Sequence, residues 1–138
     1  MINTLQTISP NLWFQSEALE AVEFYTSIFN NASIKHIAYY SNSTNDQSEK
    51  KVMSIAFQLE GQDFLALNGR GPESFTSAIS FVVNCKNQDE IDYYWGKLTE
   101  GADETHQVCG WLKDRFGVFW QVIPENLSHM MSDPDPKK

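Results

Sequence analysis

Three kinds of side chain in this 138-residue sequence could do chemistry. The first is a thiol. Cys109 opens the stretch C-G-W-L-K-D-R-F-G-V-F-W-Q-V-I-P, beside two tryptophans and a glutamine. A reactive thiol needs a base, a cation or a helix N-terminus to lower its pKa. Val108, Gly110 and Trp111 supply none, and Lys113 lies further along. Cys109 therefore reads as a buried small hydrophobe. The second kind is imidazole, at His36, His106 and His129. Metal binding needs several such ligands converging. These three fall in a second strand, a sixth strand and the tail, so each reads as a surface or packing residue. The third kind is carboxylate. Glu17, Glu20 and Glu23 fit the solvated face and first turns of a helix, where negative charge is favoured.

The bulk composition narrows the partners. Hydrophobic residues make up 41% and charged residues 20%, the mix of one globular domain with a full core. A net charge of -8 lacks the basic face that nucleic acid or an anionic membrane requires. No apolar run approaches a membrane span, and no signal peptide stands at the start. Two cysteines make no disulfide framework, so a reducing cytoplasm is the expected location.

The elements follow from periodicity. Strands are expected over 7–14, 33–40, 51–59 and 62–67, with a polar loop over 41–50. Ala18, Ala21, Val22, Tyr25 and Ile28 recur at helical spacing within 17–29, and Ser16 is placed to cap that helix. Ile8, Leu12 and Phe14 would share one face of the first strand. Residues 68–77 carry Gly69, Gly71 and Pro72 and read as a linker. The pattern then restarts with a strand over 78–85. Asn87 and Glu90 form a capping box for a helix whose face is Ile91, Tyr94, Trp95 and Leu98. Strands over 105–109, 111–113 and 118–123 complete it, with Asp114 to Gly117 as a type I turn.

The order is β-α-β-β-β, twice. Val22-Glu23-Phe24-Tyr25 and Ile91-Asp92-Tyr93-Tyr94 match at an offset of 69 residues, which fits duplication. The expectation is an α+β fold in a single domain over 1–124, with modules at about 5–68 and 78–124. A partly disordered tail over 125–138 follows. Neither module could bury its sheet alone. The two must pack edge to edge, or a second chain must complete the sheet.

Four stretches carry a family resemblance: E-A-V-E-F-Y-T-S-I-F (20–29), F-L-A-L-N-G (64–69), A-I-S-F-V-V-N-C (78–85) and the stretch from Cys109 to Pro124. Together they resemble the PhnB-like group of the vicinal oxygen chelate superfamily, which also contains glyoxalase I, extradiol dioxygenases and the bleomycin- and fosfomycin-resistance proteins. That group often carries the label "3-demethylubiquinone-9 3-methyltransferase". The resemblance implies two tandem modules forming a cupped mixed sheet, and a homodimer. Relatives usually continue past D-P-D-P with a further helical segment, whereas this sequence ends at Lys138.

The same resemblance implies a metal held by His, Glu or Gln, one from each of four strands. Carried over, those positions fall at Ser9, Ala66, Ser80 and Gln121. Only the glutamine could ligate, and weakly, so no metal and no cofactor is expected. Strand alternation turns Ser80, Val82 and Asn84 to the cup, with Phe119, Gln121 and Ile123, and turns Phe81, Val83, Trp120 and Val122 away. Asn11 and Trp13 join Ser9, and Asn68 sits at the rim. The expected ligand pocket is therefore Asn11, Trp13, Asn68, Ser80, Val82, Phe119 and Gln121, suited to a small organic molecule. Trp13 and Phe119 serve equally as pocket wall or core.

Three readings stand: a metal-free small-molecule-binding protein, with catalysis open; an enzyme, either the methyltransferase of the family label or a metal-dependent lyase or dioxygenase; and a structural or interaction protein with a filled cup. The methyltransferase has no glycine-rich strand-to-helix loop to support it.

Overall fold

In the computed structural model, residues 6–40 and 51–126 are described. The chain divides into two compact units, Met1–Ser74 and Phe75–Lys138. The α+β class holds, as two mixed sheets of four and three strands.

The first unit runs β1 (Asn11–Phe14), α1 (Ala18–Ile28), β2 (Ala32–Tyr39), β3 (Val52–Leu59) and β4 (Gln62–Asn68), with strand order β1-β4-β3-β2. β1 pairs parallel to β4, and the other pairs are antiparallel. The apolar stripe of α1 is buried at all five expected positions, and the helix packs on β3 and β4. Val22, Tyr25 and Ile28 lose almost all contact with water, worth about 1.5–3 kcal/mol apiece. The predicted cap is not made. The Ser16 hydroxyl donates to Glu17 instead, and Glu17, the residue before the helix, makes no side-chain cap. Asn68 substitutes from the far end of β4, its Oδ1 accepting the Ala18 N–H at 2.9 Å.

Strand one is shorter than expected. Ile8, assigned to the core face, is 83% exposed and precedes β1. The leading segment is held by polar contacts. The Gln6 N–H donates to Asp63 Oδ2 at 2.8 Å, and Gln6 Oε1 accepts the Asp63 N–H at 3.0 Å.

The second unit runs β5 (Phe81–Cys85), α2 (Gln88–Leu98), β6 (Trp111–Lys113) and β7 (Phe119–Pro124), with strand order β5-β7-β6. The capping box forms: Asn87 Oδ1 accepts the Glu90 N–H, and Glu90 Oε1 accepts the Lys86 N–H. β5 lies parallel to β7, and β6 antiparallel to it, as β1 and β3 do to β4. The topology of the first unit is thus repeated with one edge strand missing.

The missing strand is the one expected over 105–109. Asp103 Oδ1 accepts the Thr105 N–H at 2.9 Å and opens a 3-10 turn, Glu104–His106. Local side-chain bonding of this kind competes with a ladder. The polar run Asp103-Glu104-Thr105-His106-Gln107 has no alternating apolar face to oppose it. What remains is one bridge between Val108 and Trp111. Val108 and Trp111 exchange both backbone bonds around Cys109 (φ 53) and Gly110 (φ 86), a two-residue type I′ turn. Glu60 (φ 48) and Gly61 (φ 85) make the same turn between β3 and β4. The expected polar loop over 41–50, most of the tail and His129 lie outside the described residues. Among the described residues, no helix is long and apolar enough to cross a membrane.

Candidate functional site

Sheet register decides which side chains share a face. In the first sheet, Leu12, Ala66 and Ile55 align across β1, β4 and β3, and all three are buried toward α1. Ala66 is therefore on the helix-covered side, not the open one. Its neighbours Leu65 and Leu67 hold the open face, aligned with Asn11 and Trp13. The position carried over to Ala66 is expected to face the cup, but in this register the cup face of β4 belongs to the residues on either side of it. Ser9 precedes β1, and its hydroxyl donates to the Gln6 carbonyl at a long 3.5 Å.

Asn68 does not line a rim with a free amide. Its Oδ1 holds the start of α1, its Nδ2 donates to the Val52 carbonyl at 3.1 Å, and its own carbonyl accepts from the Tyr40 hydroxyl. Both ends of the side-chain amide are engaged in tying α1, β3 and β4 together. Asn11 is exposed. Trp13 is half-buried, and its indole Nε1 is buried with no acceptor among the described residues. A side chain at Gly69 would overlap the Trp13 ring, so glycine there is what lets the indole lie against the backbone.

In the second sheet the expected faces match the register. Phe81 aligns with Trp120 and Val83 with Val122, and the Phe81 and Trp120 rings meet at 5.4 Å. Val82 aligns with Gln121 and Asn84 with Ile123 on the opposite face, joined by Trp111 and Lys113 from β6. Ser80 stands one residue before β5. Its Oγ accepts from Gln121 Nε2 at 3.0 Å, so these two positions partner each other. Phe119 is flanked by His106, ring to ring at 6.0 Å, and by the Lys113 ammonium at 5.7 Å. Neither flanking residue was singled out for this face in the sequence. The signal available for Lys113 was its alternation with Trp111 across β6.

Cys109 is exposed at a hairpin tip rather than buried. The buried thiol is Cys85, whose pKa is pushed up by burial and by the charge of Glu90. The Cys85 environment does not activate a nucleophile. Asp103 titrates below the usual carboxylate range, because the Thr105 backbone and hydroxyl hydrogen-bond it and His106 and Lys113 add positive charge.

The chemistry of the donors does not fit the metal that the resemblance implies. Of the four carried-over positions, the structure brings Ser80 and Gln121 together as a neutral pair. Ser9 and Ala66 offer a hydroxyl and a methyl. Among the described residues, no group of three or more His, Cys, Asp and Glu side chains is placed to hold an ion.

Residues 6–123 match the protein family described as "3-demethylubiquinone-9 3-methyltransferase". The chain belongs to that family. It is similar to a PhnB protein from Bacillus cereus at 31% identity, with a TM-score of 0.73 over 86% of this chain and 99% of the other. A protein from Pseudomonas aeruginosa shares the fold at 20% identity and a TM-score of 0.67, over 88% of this chain and 98% of the other. The fosfomycin resistance protein FosX from Listeria monocytogenes, solved with Mn(II) and sulfate, shares it at 15% identity and a TM-score of 0.58, over 96% of this chain and all of the other. No curated protein matches the chain. These neighbours place this PhnB-like chain in the glyoxalase-like, vicinal oxygen chelate fold. At such identities the FosX likeness concerns the fold alone.

Proposed function

We propose that this PhnB-like protein binds a small organic molecule without a metal. The supporting observation is the Gln121–Ser80 hydrogen bond on a face that carries Val82, Phe119 and Ile123 together with Asn84 and Lys113. Where the resemblance implies ligands for an ion, this chain has an amide and a hydroxyl satisfying each other. A neutral polar pair beside aliphatic and aromatic side chains can orient a small organic ligand, and the charge on this face, the Lys113 ammonium, is of the wrong sign to hold a cation. Methyl transfer from a nucleotide-type cofactor gains no support. Neither strand-to-helix connection, Gln15-Ser16-Glu17 or Lys86-Asn87, contains a glycine. Homodimerisation belongs to the same proposal and is checked by sedimentation equilibrium.

Thermal-shift screening tests the reading with Mn(II), S-adenosylmethionine, and small aromatic and phosphonate compounds. A ligand at a hundredfold its Kd stabilises the folded state by about 2.7 kcal/mol, which is readily seen. The expected result is stabilisation by an organic compound that a chelator leaves unchanged. A metal-dependent shift reversed by chelator overturns the reading, as does stoichiometric binding of S-adenosylmethionine.

A further inference from the structure

Two cross-strand rows occupy the open face of the second sheet. Val82, Gln121 and Trp111 align across β5, β7 and β6, and Phe119 aligns with Lys113 in the next row. Leu112, between Trp111 and Lys113, is buried on the opposite side. The indole and the ammonium therefore stand side by side on one strand, about 7 Å apart at the backbone. Val82 is 46% and Trp111 37% exposed, so both meet a molecule arriving from solution. Gln121, Phe119 and Lys113 are half-buried. Three strands and two rows make a patch about 10 Å by 7 Å, the size of one substituted ring.

The charge on this patch is the Lys113 ammonium, 5.7 Å from the centre of the Phe119 ring. Among the described residues it makes no ion pair. Neither row contains an acidic residue. The Asp103 carboxylate feels the Lys113 charge, but it is bound to the Thr105 N–H at 2.9 Å. An unpaired cation beside aromatic surface is complemented by an anion that carries a ring of its own. One ammonium matches one negative charge, and a second would face the field of Asp103. We infer that this face takes a small aromatic monocarboxylate, its ring on Trp111 and its carboxylate at the Lys113 ammonium. The inference rests on the small-molecule reading above and names the class of its ligand.

The test titrates phenylacetate, phenylacetamide and phenylphosphonate into metal-free protein at about pH 8, where the phosphonate is largely a dianion. Protein labelled with 15N-tryptophan gives four indole signals, and Trp111→Phe identifies the one from Trp111. Phenylacetate should shift that signal saturably. It should bind roughly tenfold more tightly than phenylacetamide, which has the same shape without the charge. Added salt should weaken phenylacetate binding and leave the amide unaffected. Lys113→Gln should lower the phenylacetate affinity to that of the amide, and Lys113→Arg should keep most of it.

Four results overturn the inference: equal affinity for phenylacetate and phenylacetamide, unchanged phenylacetate affinity in Lys113→Gln, tighter binding of phenylphosphonate, or no shift at Trp111 in tens of millimolar phenylacetate. If Lys113→Gln fails to fold, the acid–amide comparison and its salt dependence in the unaltered protein decide. Failure here, with uncharged organic compounds still stabilising the protein free of metal, removes this inference and leaves the proposed function standing. Stabilisation by metal alone, reversed by chelator, removes both.

Discussion

The indole N–H of Trp120 donates to the carboxylate of Asp114 at 2.9 Å, inside the second unit, where both residues are buried. The other carboxylate oxygen accepts the backbone N–H groups of Phe116 at 2.9 Å and Val118 at 3.0 Å. One side chain thus closes the β6–β7 turn and fastens the largest ring of β7 to it. Asp114→Ala leaves three donors without their partner. The expected loss is on the order of 3–5 kcal/mol in urea denaturation, with a smaller loss for Asp114→Asn, which keeps one acceptor oxygen. A loss under about 1 kcal/mol for the alanine variant would show that water replaces the carboxylate freely.

Gly69 and Trp13 form the second coupled pair. Gly69→Ala forces the indole out of its place and should destabilise by about 1–3 kcal/mol. Trp13→Leu in the same chain should recover part of that loss. The double-mutant cycle reads the coupling directly, and strict additivity would contradict the overlap.

Cys109 occupies a left-handed backbone position that suits asparagine. Cys109→Asn is expected to raise stability by about 0.5–1 kcal/mol, and Cys109→Val to lower it by about 1–2 kcal/mol. Thermal denaturation of the three proteins gives the order, which reverses if the turn adopts another conformation in solution.

Asp103 makes the 3-10 turn pH-dependent. The folded state holds its carboxyl below the unfolded value, first through the Thr105 N–H. Its stabilisation is therefore complete above about pH 4, the unfolded range, and disappears as pH falls through the lower folded value. The Thr105 amide resonance should report this transition. Asp103→Asn should abolish it, and an Asp103 midpoint at or above the ordinary carboxylate value would contradict the hydrogen bond.

What the sequence revealed depended on range. Both helices, the capping box at Asn87 and the faces of β5 and β7 follow from neighbours a few residues apart, so periodicity exposed them. The cap on α1 comes from Asn68, which is 50 residues away, and only the folded sheet brings it there. The missing strand shows a different weakness. Thr105 and Val108 favour a strand, but Asp103 offers the backbone a nearer partner. Cys109-Gly110 did contain a hairpin signal in its glycine, obscured because cysteine is a rare residue for the first turn position. The facing of Ala66 was not legible because Phe64, Leu65, Ala66 and Leu67 are all apolar, and such a run does not announce which side faces the helix.

In each unit the first strand pairs with the last: Asn11 aligns with Leu65 and Phe81 with Trp120. A nascent chain therefore cannot complete either sheet as it emerges from the ribosome. β1 waits for β4, and β5 for β7, so each closing step spans nearly the whole unit and carries the loop entropy of that span. Local helix and hairpin formation come first, and the parallel pairing that gives each half its final order comes last. Translation arrested before Leu65 leaves β1 without its neighbour, a hydrophobic edge exposed to chaperones and proteases alike.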